Sequence, residues 1–124
     1  MHSSFGGLRG SWPVNLRHTF VGASAPPAIE AELDRLEVIW ANAREKSGST
    51  TPWLCGKYCL ADAIFAPTAA RLATYKFDMR PVSTAYVAAH LADPAFQKWR
   101  AERLACDPVM PNFEVDLPTL PWPV

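Results

Sequence analysis

Between Pro52 and Lys76 the chain passes through a turn, Pro-Trp-Leu-Cys-Gly-Lys-Tyr-Cys, into a stretch that is almost entirely small or apolar, from Leu60 to Tyr75. A helix built from it has too few polar residues for a solvent face, so other helices must cover most of it. Leu60, Ile64, Thr68, Leu72 and Tyr75 recur at helical spacing on one side. Ala61, Ala66, Ala69, Ala70 and Ala73 keep the other sides narrow enough for close approach. The expectation is a central, buried helix. Gly56 permits a turn ahead of it, and Cys59 stands at the N-cap position. Asp62 is placed to accept from the orphan amides of the first turn and to suit the positive end of the macrodipole. Pro67 removes the bond to the carbonyl of Ala63 and should bend the axis.

The run from Pro52 to Pro67, followed by Arg71 and Tyr75, resembles the central helix in the all-helical C-terminal domain of bacterial glutathione transferases. That family carries Gly-x-x-Ser/Thr-Ile/Leu-Ala-Asp here, its hydroxyl residue and Asp forming a capping box. Cys59 occupies the hydroxyl position, and a thiol is a poor acceptor for a backbone amide, so half of the box is weakened. The resemblance implies an all-α fold, a bundle of about five helices, with Cys59 and Asp62 as a structural helix cap.

The resemblance extends over nearly all of residues 1 to 105. Phe5, Leu8 and Trp12 form a helical stripe interrupted by Gly6, Gly7 and Gly10 and ended by Pro13. With Met-His-Ser-x-Phe and Leu-Arg, this segment resembles the second half of the family domain's first helix. Pro27 suits the first turn of a long helix in which Glu30 and Glu32 lie near the positive end. Ile29, Leu33, Leu36, Trp40 and Ala43 form its apolar side, and Gly48 its C-cap. Ser83 can cap a short helix carrying Tyr86, Val87, His90 and Leu91. Asp93-Pro94 opens another with Phe96, Trp99 and Leu104 on its apolar side. These elements define a helical domain over residues 1–106. Residues 107–124 hold Pro108, Pro111, Pro118, Pro121 and Pro123, which exclude a helix or central strand and leave an extended tail. Phe113, Val115, Leu117, Leu120 and Trp122 make that tail apolar enough to dock, with a loose tail as the alternative.

Composition bounds the function. Twelve basic and twelve acidic residues cancel, which leaves no electrostatic footprint for nucleic acid or an anionic membrane. No apolar run approaches the ~20 residues of a membrane span, and no signal peptide opens the chain, so a cytoplasmic protein is expected. The three cysteines fit reduced thiols. Cys55 and Cys59 have no nearby His or third Cys to complete a metal site, and buried small hydrophobes are the favoured reading over a metal or redox pair.

No catalytic residue is assigned. His2, His18 and His90 are scattered, and no nucleophile elbow or metal spacing accompanies them. Arg71 and Tyr75, four residues apart on one helix face, could meet an anionic or aromatic ligand, but a buried Arg on carbonyls and a core Tyr outweigh that role. Phe5, Arg9 and Trp12 resemble the half-helix that in the family flanks an apolar substrate pocket and the subunit interface. With Arg71 and Tyr75 they are the substrate-side candidates.

The family's glutathione site is built on a thioredoxin-like N-terminal domain, which these residues do not include. The resemblance therefore implies no cofactor in this chain, glutathione only where such a domain is supplied, and no conjugating activity alone. The expected partners are a second copy through Phe5, Leu8 and Trp12, a thioredoxin-like domain, or an apolar small molecule. An apolar binding module and a protein-assembly scaffold are the alternatives to a transferase half.

Overall fold

In the computed structural model, residues 4–106 and 115–122 form five helices and one two-stranded sheet. In order they are α1 (Gly6–Ser11), β1 (His18–Phe20), α2 (Pro27–Ser47), α3 (Leu60–Tyr75), α4 (Pro81–Ala92), α5 (Pro94–Ala105) and β2 (Thr119–Pro121). No helix of the described residues is long and apolar enough to cross a membrane.

The strongest sequence signals set the helix ends. Pro27 is the first residue of α2, and Gly48 closes it at φ 64°, its amide donating to the carbonyls of Arg44 and Glu45. Asp93 caps α5, accepting from the amides of Ala95 at 2.9 Å and Phe96 at 3.1 Å. Helix α4 begins at Pro81 rather than at Ser83, which is buried inside it. Its capping amide, from Arg80, donates to Glu37 of α2 at 2.8 Å, and the Arg80 side chain pairs with the same carboxylate at 3.5 Å.

Helix α1 also draws its cap from a distance. Glu32 accepts from the amides of Gly7 at 3.1 Å and Leu8 at 2.7 Å, so this carboxylate serves the positive end of α1, not that of its own helix. Gly7 allows the approach, since a Cβ there would meet Glu32 at 3.2 Å. Phe5 and Leu8 are buried against Ile29, Leu33 and Leu36, so they belong to the core and offer nothing to a dimer seam. Met1, His2 and Ser3 of the resemblance motif lie outside the described residues.

Around α3 the core continues through Trp40, Leu54, Ala69, Leu72, Tyr86 and Val87. The described part of the tail is extended and holds neither a helix nor a central strand, and three of its residues add an edge strand. β2 pairs antiparallel with β1, His18 opposite Pro121 and Phe20 opposite Thr119. Proline is tolerated because both strands are edges. Trp122 then lies 4.8 Å under the Arg100 guanidinium and packs on the cluster of Leu16, Ala70 and Phe96. Phe113, offered as a docking residue, lies outside the described residues.

Candidate functional site

Asp62 is the node at the head of α3. It is fully buried and takes three hydrogen bonds: from the amide of Leu54 at 3.1 Å, from the amide of Cys59 at 2.9 Å and from the Tyr86 hydroxyl at 2.9 Å. Burial pushes its carboxyl up, but these donors outweigh it and hold the group below its ordinary value. Burial and the Asp62 carboxylate raise the Tyr86 phenol, so Tyr86 stays a donor. The turn before α3 is fastened at its other end too. The Arg44 guanidinium donates to the carbonyls of Thr51 and Pro52, and the Thr51 hydroxyl donates to the Gly56 carbonyl at 2.9 Å.

Cys59 is the N-cap of α3, in extended conformation, with its thiol facing the Asp62 amide to complete a capping box. Replacing it with Ser is expected to stabilise the reduced protein by ~0.5–1 kcal/mol, because a hydroxyl oxygen accepts from an amide better than sulfur does. A lower melting temperature for Cys59→Ser would show that the thiol is there for packing. The cysteines are not all interior: Cys55 and Cys106 are exposed and Cys59 is half-buried. This corrects the reading of the pair as buried small hydrophobes.

His90 of α4 is wholly buried in an aromatic box. Tyr86, Trp53 and Tyr58 stand edge-on to it at 4.6, 5.2 and 6.1 Å between ring centres. Among the described residues neither ring nitrogen has a hydrogen-bond partner. Burial lowers its pKa, opposed by the negative charges of Asp62 and Asp93, so the ring is held neutral. The sequence offered only a scattered His, because the box is assembled from the turn before α3 and from α4.

The substrate-side candidates fall into three settings. Arg71 donates through Nε to the Trp12 carbonyl, and Tyr75 donates to the Pro13 carbonyl at 2.9 Å. Thr74 beside them donates to the Asn15 carbonyl at 2.8 Å, so this end of α3 holds residues 12–15 in place. Burial lowers the Arg71 pKa to about 10, with Tyr75 opposing and Arg9 reinforcing the shift. The residue keeps its charge at neutral pH. Trp12 packs its ring on Tyr75 at 4.9 Å and Phe77 at 5.7 Å. Phe5 is a core residue under the Arg35 guanidinium, and Arg9 is exposed. Trp12, Arg71 and Tyr75 come together, then, but as internal fastenings.

The same face of α3 has a second half. Leu60, Ala63, Ile64 and Pro67 follow the helical i, i+3, i+4, i+7 pattern and are all exposed, Leu60 at 76% and Ile64 at 52%. One turn on, the face is buried under residues 12–15. The expected burial of Leu60 and Ile64 is thus corrected: the face is covered over its C-terminal half only, because no described segment lies over its first two turns. A cleft of about 210 Å3 beside it is lined by Tyr58, Ala63, Ala66, Pro67 and, from α5, Phe96 and Trp99. A larger groove of about 690 Å3 lies between α4 and α5, lined by Leu91, Phe96, Gln97, Arg100 and Trp122.

Among the described residues no group of three or more His, Cys, Asp or Glu side chains could hold a metal ion. Comparison with family models, with curated proteins and with solved structures returned no match.

Proposed function

We propose that this chain is a helical module of the glutathione transferase C-terminal type, without catalysis of its own, that works by assembling with a second copy through the first half of α3. The observation that carries the reading is the half-covered face: Leu60, Ala63, Ile64 and Pro67 continue a buried face into solvent. Covering one Leu or Ile side chain contributes about 1.5–3 kcal/mol, so such a stripe favours association. A two-fold arrangement is the simplest cover, each stripe lying on its counterpart. A thioredoxin-like domain seated on the same face would make the chain one half of a transferase. Light scattering at micromolar concentration is expected to report a dimer or larger; a monomer at all accessible concentrations would refute the reading.

A second reading, an apolar ligand module, is favoured by the α4–α5 groove. Its volume lies in the range of small-molecule sites, roughly 300–1,000 Å3, and Arg100 and Gln97 would meet the polar end of an amphipathic ligand. In either case the chain alone is expected to give no turnover of glutathione with a generic aromatic electrophile. The basis is that the family resembled builds its glutathione site on a thioredoxin-like domain, which the five helices and two-stranded sheet of the described residues do not form. Turnover above the uncatalysed rate that survives repurification would overturn this.

A further inference from the structure

We propose that the groove between α4 and α5 binds a small amphipathic carboxylate, its charge on Arg100 and its apolar part along α4; this rests on the ligand-module reading of that groove. The space exists because the side chains facing it from α4 are small. Ala88 and Ala92, one helical turn apart, are exposed and line it, and with Leu91 and Phe96 they give apolar walls to a volume of about 690 Å3. Gln97 donates to the Leu91 carbonyl at 3.4 Å and so ties α5 to the end of α4. The groove lies between two helices that are fastened to each other, which makes it pre-formed, as small-molecule sites usually are.

Among the described residues that line the groove, Arg100 carries the charge. Two contacts set its guanidinium: Nε donates to the Leu16 carbonyl at 2.9 Å, and the group lies over the Trp122 ring at 4.8 Å. Leu16 comes shortly before β1 and Trp122 directly after β2, so the pairing of the two strands holds both contacts in place. The Nη atoms have no hydrogen-bond or ion-pair partner among the described residues. Burial lowers the Arg100 pKa, and among the described residues no carboxylate opposes the shift. The position thus offers an oriented cation that stays charged at neutral pH and lacks an anion. A planar carboxylate matches the Nη edge of such a fork in a two-point contact. One cation suits a single negative charge, which favours a carboxylate over a phosphate. The apolar walls fix the rest of the ligand as hydrocarbon.

The test is calorimetric titration of the full chain at neutral pH with decanoate and with decanol, each below the concentration at which it self-associates. Decanoate is expected to bind saturably, one per chain, and at least ~10-fold tighter than decanol. Arg100→Gln should bring decanoate to the affinity of decanol and leave decanol unchanged. Ala88→Trp, at an exposed position, should fill the groove and remove saturable binding of both. Should Arg100→Gln fail to fold by circular dichroism, the comparison of the two probes on the parent decides. Equal affinity of the parent for the two probes, or decanoate binding that a folded Arg100→Gln leaves intact, would overturn the carboxylate site and leave the apolar-ligand reading standing. Binding of both probes that survives Ala88→Trp, or no saturable binding of either to the parent, would overturn that reading and the proposal together.

Discussion

Replacing Asp62 with Ala is expected to destabilise the fold by about 3–5 kcal/mol, a large share of the ~5–15 kcal/mol available to a domain. The substitution leaves the Leu54 amide and the Tyr86 hydroxyl without their acceptor in a buried site, and frees the Cys59 amide at the start of α3. Tyr86→Phe removes only one of the three donors and should cost about 1–2 kcal/mol. Urea denaturation of the two variants separates these values. An Asp62→Ala loss below about 1 kcal/mol would mean the node is solvated. The carboxyl is also a source of acid sensitivity. Its folded pKa is lowered, so its contribution is present above the unfolded value of about 3.9 and is lost as pH falls through the lower folded value.

A second loss is expected at milder acidity. His90 is buried neutral, and its folded pKa lies below the unfolded value of about 6.5. Below that pH the unfolded chain binds a proton that the folded chain refuses, so stability falls as pH falls until the folded pKa is reached. The slope approaches 1.4 kcal/mol per pH unit at most, reduced by the attraction of Asp62 and Asp93 for the imidazolium. Tyr58, Tyr86 and Trp53 complete the box and carry no compensating charge. Stability measured by denaturant between pH 7 and 5 should decline by about 1 kcal/mol more for the parent than for His90→Phe, whose ring fits the same box. Equal slopes would show that His90 reaches solvent or a partner.

Much of the fold was legible because its signals are local. Pro27, Gly48, Asp93 and Pro94 act within a turn of where they stand, and the helix boundaries follow them. The Asp62 cap was legible for the same reason. Residues that work across the chain were not. Nothing near Glu32 or Glu37 says that these carboxylates cap α1 and α4, since their targets lie about 25 and 43 positions away. β2 has no local signal, because three residues with a proline form a strand only when an edge is offered, and β1 offers it. The exposure of the first half of α3 is not legible from periodicity, which reports that a face is apolar and not what covers it. A helix apolar all round carries the missing signal: either its own chain closes over it or another does.

That question has a direct measurement. Sedimentation velocity at micromolar concentration compares the parent with Leu60→Lys/Ile64→Lys, two substitutions on exposed helical positions that leave the core and the Asp62 cap untouched. The account predicts a dimer or larger for the parent and a monomer with the same helical circular dichroism for the variant. A variant that sediments with the parent would contradict it.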